Sequence, residues 1–105
     1  MSSEKYSVHY EKPKDDYQSY TNTSFGSADS PVVLDVFGDL ERLTYNGEID
    51  CDGAGSFYVA LSSDGTNYGD NVLVKAGDTL DIETHRVWKI KLTWIAGSAY
   101  RVRVY

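Results

Sequence analysis

An all-β protein, folded as a single antiparallel sandwich, is what this sequence predicts, and three observations predict it. Apolar and polar residues alternate with period two through most of the chain after position 31. Clusters of Gly, Asn, Asp and Ser separate these runs at regular intervals. No segment carries a convincing helical repeat. About eight strands result, so a β-sandwich of jelly-roll-like form is the expected architecture.

The first thirty residues differ from the rest. They are polar, with Val8 as their one large aliphatic side chain, and Tyr6, Tyr10, Tyr17 and Tyr20 are scattered among them. Tyr6 to Tyr10 predicts a short edge strand, because Tyr6, Val8 and Tyr10 share a face. Glu11 to Asp16 reads as a turn or linker. Residues 1–30 are therefore expected to form an arm that buries little by itself, ahead of a sandwich domain over 31–105.

From Pro31 the strand signals follow quickly. Val32 to Phe37 predicts a strand turned by Gly38-Asp39, and Leu40 to Tyr45 predicts a second. Asn46-Gly47 is a strong hairpin signal, leading into Glu48 to Cys51. After Asp52-Gly53-Ala54-Gly55, Ser56 to Ser62 places Phe57, Val59 and Leu61 inward. A longer connection through Asp64-Gly65 and Tyr68 reaches Val72 to Lys75. Thr79 to Glu83 then turns Leu80 and Ile82 inward.

Arg86 to Tyr105 closes the pattern. Trp88, Ile90, Leu92 and Trp94 share one parity, as do Tyr100, Val102 and Val104. Read as a hairpin, an Ala96-Gly97-Ser98 loop sets Trp94 opposite Tyr100, Leu92 opposite Val102 and Ile90 opposite Val104. The same register aligns Lys89, Lys91, Arg101 and Arg103 on the other face. Such a stripe needs anionic neighbours, because like charges directly opposite destabilise a pair. Asp81 and Glu83 could supply them, and so could another molecule. Both tryptophans share parity with the core residues, which places them in the core.

Composition narrows the function classes. The chain has 105 residues, 41% of them hydrophobic, and a formal net charge of −6. That charge argues against general nucleic-acid binding, which requires a basic surface. One cysteine, Cys51, excludes an intrachain disulfide and a cysteine-based zinc site. No apolar run reaches the roughly eighteen residues of a membrane span, and the N-terminal residues lack a secretion signal. Asp64 to Asn71 is rich in oxygen ligands but lacks EF-hand spacing, and turn chemistry accounts for it and for Asp50 and Asp52. His9 and His85 are isolated. No nucleophile, acid–base pair or phosphate loop emerges, so neither an enzyme, a metal nor a cofactor is expected. The nine tyrosines suit an interaction surface.

Two stretches carry a resemblance. Phe57 to Tyr68 runs a strand into Ser62-x-Asp64-Gly65-x-Asn67-Tyr68, and Ala99 to Val104 is a basic-alternating strand. Together they resemble small β-sandwich modules of phage and other virus particles, over about the second half of the chain. The resemblance implies a non-enzymatic virion accessory protein: a capsid decoration or cement subunit, or a tail or fibre piece. It implies a homo-oligomer, a trimer being favoured, made in the host cytoplasm and carried on the virion surface. The partner would be a capsid or other virion protein, without nucleic acid or membrane. Tyr6, Tyr10, Tyr17, Tyr20, Lys89, Lys91, Arg101 and Arg103 are the candidate partner-binding residues. Similar strand-turn text occurs in carbohydrate-binding and adhesion modules, which form the alternative, with Tyr58, Tyr68 or a solvent-facing tryptophan stacking on a glycan.

Overall fold

A computed structural model describes residues 17–83 and 86–105. The described chain is an eight-stranded sandwich. In chain order the strands are β1 (Gln18–Phe25), β2 (Val32–Leu34), β3 (Gly47–Cys51), β4 (Phe57–Ser62), β5 (Val72–Val74), β6 (Thr79–Asp81), β7 (Lys89–Trp94) and β8 (Ser98–Val104). Sheet one has the order β1-β8-β3-β6 and sheet two the order β2-β7-β4-β5, with every pairing antiparallel. Successive strands mostly cross from one sheet to the other, and this interleaved order is that of a jelly roll. The expected fold class is the observed one.

The core follows from strand parity. Ile49, Cys51, Tyr100, Val102 and Val104 face inward from sheet one, and Phe57, Val59, Ile90 and Leu92 from sheet two. Phe25, Phe57 and Tyr100 meet edge to face at one end, with ring centroids 5.3 to 6.3 Å apart. At the other end Trp88 stacks on Phe37 with centroids 4.4 Å apart. Trp94 is half-buried against the core and Trp88 half-buried outside the central cluster.

Four local expectations are corrected. The strand predicted over Val32 to Phe37 stops at Leu34, because Asp35 caps a short helix, α1 (Val36–Leu40), its carboxylate accepting the Gly38 N–H at 3.1 Å. This helix buries Val36 and Leu40. Leu40 to Tyr45 is not a strand, since Glu41 closes the helix in the left-handed conformation. Asn46-Gly47 makes no hairpin turn; Asn46 Oδ1 accepts the Gly47 N–H at 2.7 Å and Gly47 opens β3.

The fourth correction is the closing hairpin. β7 and β8 lie in different sheets, β7 between β2 and β4, β8 between β1 and β3. The intervening residues form an arch across the sandwich. Period-two alternation shows which face of each strand is apolar but does not distinguish a partner beside it from one across the core. Ile90, Leu92, Val102 and Val104 are all buried in the one core cluster, contributed from the two different sheets instead of along a ladder.

The sandwich also takes in residues that composition assigns to the arm. β1 pairs with β8 from Gln18↔Val104 to Asn22↔Tyr100, and Phe25 is 1% exposed. The strand predicted at Tyr6 to Tyr10, and the linker after it, lie outside the described residues.

Candidate interaction surfaces

The outer face of sheet one is a charged ladder. Side chains that alternate with the buried ones line up across strands: Thr21, Arg101, Asp50 and Thr79 in one row, Ser19, Arg103, Glu48 and Asp81 in the next. Arg101 meets Asp52 through Nε–Oδ2 at 2.6 Å and Nη2–Oδ1 at 3.2 Å, and reaches Asp50 Oδ2 at 3.4 Å. Arg103 Nη1 lies 3.6 Å from Glu48 Oε2. Thr79 donates its hydroxyl to Asp50. The hydrogen bond from Arg101 holds the Asp52 carboxyl below its usual range, and the same bond raises the guanidinium. Arg103 is raised too, first by a hydrogen bond with Tyr105 and its charge, then by Glu48.

The predicted four-cation stripe therefore does not exist. Arg101 and Arg103 lie on sheet one, whereas Lys89 and Lys91 lie on sheet two, opposite Ser62 and Ala60 of β4. The arginines are answered from within the chain, but by Glu48, Asp50 and Asp52. Asp81 stands one strand further out, opposite Glu48. A signal for this was present: Glu48, Asp50 and Asp52 alternate with Ile49 and Cys51. What alternation could not supply was that β3 would lie beside β8.

Of the candidate tyrosines, Tyr6 and Tyr10 lie outside the described residues. Tyr17 is exposed at the start of β1. Tyr20 is half-buried and donates its hydroxyl to Asp39 Oδ2 at 2.5 Å. Burial, then that bond and the charges of Asp39 and Asp35, hold the phenol well above the usual tyrosine range. Tyr20 thus ties β1 to α1.

The outer face of sheet two has a different character. Tyr58 lies between Thr93 and Leu73 in one row, and Val33, Lys91 and Ala60 form the next. Val33, Tyr58 and Leu73 are 47%, 38% and 44% exposed, and Ile95 at the arch is 39% exposed. Lys91 Nζ sits 4.4 Å from the Tyr68 ring centroid. Val33 and Leu73 were not among the predicted contact residues. Their signal is that Val32-Val33-Leu34 and Val72-Leu73-Val74 are apolar on both parities, the text of strands without a polar face.

The Ser62–Asn67 motif is a self-contained turn. Asp64 Oδ1 accepts the N–H of Thr66 at 2.8 Å, the N–H of Asn67 at 2.7 Å and the Ser62 hydroxyl at 3.0 Å, while Oδ2 accepts Asn67 Nδ2 at 2.8 Å. Those bonds, the backbone ones first, hold the Asp64 carboxyl far below its usual range. Between the edge strands β5 and β6 the sandwich opens into a cleft of ≈ 600 Å³ lined by Val59, Leu61, Val72, Leu80, Ile82 and Val87. Among the described residues, no three His, Cys, Asp or Glu side chains converge as a metal site would require.

No family model matches this chain, and no curated protein does. Among solved structures it is similar to Fe(II)-HppE crystallised with the alternative substrate (S)-1-HPP, at 14% identity and a TM-score of 0.49. The likeness covers 84% of this chain but 40% of that one.

Proposed function

We propose that this chain is a non-enzymatic structural subunit of a virus particle, a decoration or cement protein that binds the capsid surface. The observation that carries this reading is the apolar outer face of sheet two, with Val33, Tyr58 and Leu73 exposed beside Lys91. Jelly-roll sandwiches serve as capsid and lectin domains, although the fold alone assigns no role. The arginines of sheet one already have carboxylate partners, so the shell contact falls to sheet two. Apolar side chains next to lysines suit a partner surface that is itself apolar and acidic. Such a contact is shallow, and strength comes from many copies acting together on one shell.

Co-sedimentation with capsids purified from the source virus tests the reading. Leu73→Glu and Val33→Glu leave the fold intact and abolish capsid association. Unchanged association of both variants sinks the assignment to sheet two. Failure of the unmodified chain to bind capsids, combined with glycan-array binding lost on Tyr58→Ala, moves the function to carbohydrate recognition.

A further inference from the structure

Among the described residues the sandwich has four edge strands, and three of them are short. β2, β5 and β6 span three residues each, whereas β1 spans eight. A long exposed edge is a template for another strand, and proteins ordinarily blunt it with charge, proline or shortness. β1 reads Gln-Ser-Tyr-Thr-Asn-Thr-Ser-Phe, with no charged residue and no proline in a chain that is 25% charged. β6, the opposite edge of the same sheet, ends on Asp81 and is flanked by Asp78 and Glu83. The two edges of sheet one are built in opposite ways.

We propose that β1 is a self-recognition edge, at which two copies of this chain pair β1 with β1 in antiparallel fashion about a two-fold axis through Thr21. The pairing window is bounded on both sides. Gln18 is tied through its side chain to the Asp39 carbonyl at 3.2 Å. The β1–β8 register shifts between Asn22 and Phe25, and Asn22 Oδ1 accepts the Ser24 N–H at 2.9 Å, which ends the window at Thr23. That leaves residues 19–23, whose midpoint is Thr21. In this register Ser19 faces Thr23 of the second copy, Thr21 faces Thr21, and Tyr20 faces Asn22. Hydroxyls meet hydroxyls on the outer face, a favourable cross-strand pairing. Two-fold pairing of a charged strand sets like charges near each other, and two copies at net charge −6 repel in general. An uncharged edge is where they can meet. The ladder to β8 and the Tyr20–Asp39 bond hold β1 extended beforehand, which lowers the ordering cost of association. The result is one continuous sheet, β6-β3-β8-β1 joined to its symmetry mate. Its unit is two-fold, unlike the trimer implied by the sequence resemblance, and it does not depend on what sheet two binds.

Sedimentation velocity and light scattering on the full chain, at roughly 10–100 μM, test the proposal. The unmodified chain is expected to run as a dimer. Thr21→Lys, an exposed position, sets two ammonium groups face to face and weakens association at least about tenfold, while the circular dichroism spectrum stays unchanged. Thr21→Cys adds a register test, because residues paired on the axis are close enough for a disulfide between copies. Thr21→Cys is expected to cross-link with itself on mild oxidation. Ser19→Cys and Thr23→Cys cross-link when mixed and not singly. Cys51 is buried, so the unmodified chain supplies the blank. A monomer or a trimer at these concentrations overturns the proposal. So does a dimer that survives Thr21→Lys, or a Thr21→Cys protein that does not cross-link.

Discussion

Gly65 lies against the indole of Trp88, so that a methyl group on its Cα would sit 3.0 Å from Cε2 and 3.1 Å from Cδ2. Its φ is +83°, a conformation that side chains other than hydrogen resist. Gly77 has the same φ with nothing within 4 Å of the added methyl. Gly77→Ala is therefore expected to cost about 1–2 kcal/mol from backbone strain alone, and Gly65→Ala more. Urea denaturation of the two variants checks the order, and equal losses would remove the role assigned to the Trp88 contact.

Core parity is tested by neighbours on one strand. Phe57 is fully buried, while Tyr58, the next residue, is 38% exposed. Phe57→Ala is expected to lose about 3–5 kcal/mol. Tyr58→Ala should stay within about 0.5 kcal/mol of the unmodified protein. Chemical denaturation followed by tryptophan fluorescence measures both.

Acid sensitivity follows from Asp64 and Asp52, whose carboxyls are both lowered in the folded state. A lowered carboxyl stabilises the fold above its unfolded pKa of about 3.9. That contribution is lost as pH falls from there through the folded value. The Tm deficit of Asp64→Ala relative to the unmodified protein should thus be full at pH 6 and shrink below pH 4. A deficit independent of pH would show that the carboxylate charge is not what the turn uses.

Tyr20 and Tyr100 both titrate above the usual tyrosine range, burial being the larger cause in each. For a raised group the associated stability is present below the unfolded value, about 10, and is lost as pH climbs through the folded value. Absorbance titration near 295 nm should show late-ionising tyrosines, and Tyr20→Phe should remove the last of them. A titration curve that keeps its final step in Tyr20→Phe would contradict the Tyr20–Asp39 assignment.

Sequence pattern reached the fold class and the inward faces of β4, β7 and β8, because burial on one side leaves an alternating record. It failed where the record is ambiguous. β1 is polar on most of both parities, so Thr21 and Asn22 read as arm, although pairing with β8 supplies what their side chains do not. Ala96-Gly97-Ser98 suits a hairpin and an arch equally, and the error put on one sheet two pairs of cations that lie on different sheets. Val33 and Leu73 were legible as apolar, but their outward direction depends on the strands around them. The carboxylates beside Arg101 and Arg103 could be read as an alternating set, yet not as neighbours, since adjacency between β3 and β8 is a property of the whole topology.

The central place of β8 in sheet one has a consequence for synthesis. β8 leaves the ribosome after every other described strand, yet it is the partner of both β1 and β3. Until Ser98 to Val104 emerges, β1 has no described strand beside it, and β3 and β6 can form only an isolated pair. Closure of sheet one thus waits for β8, whose pairing of Val104 with Gln18 joins residues far apart along the chain, the kind of contact that forms slowly.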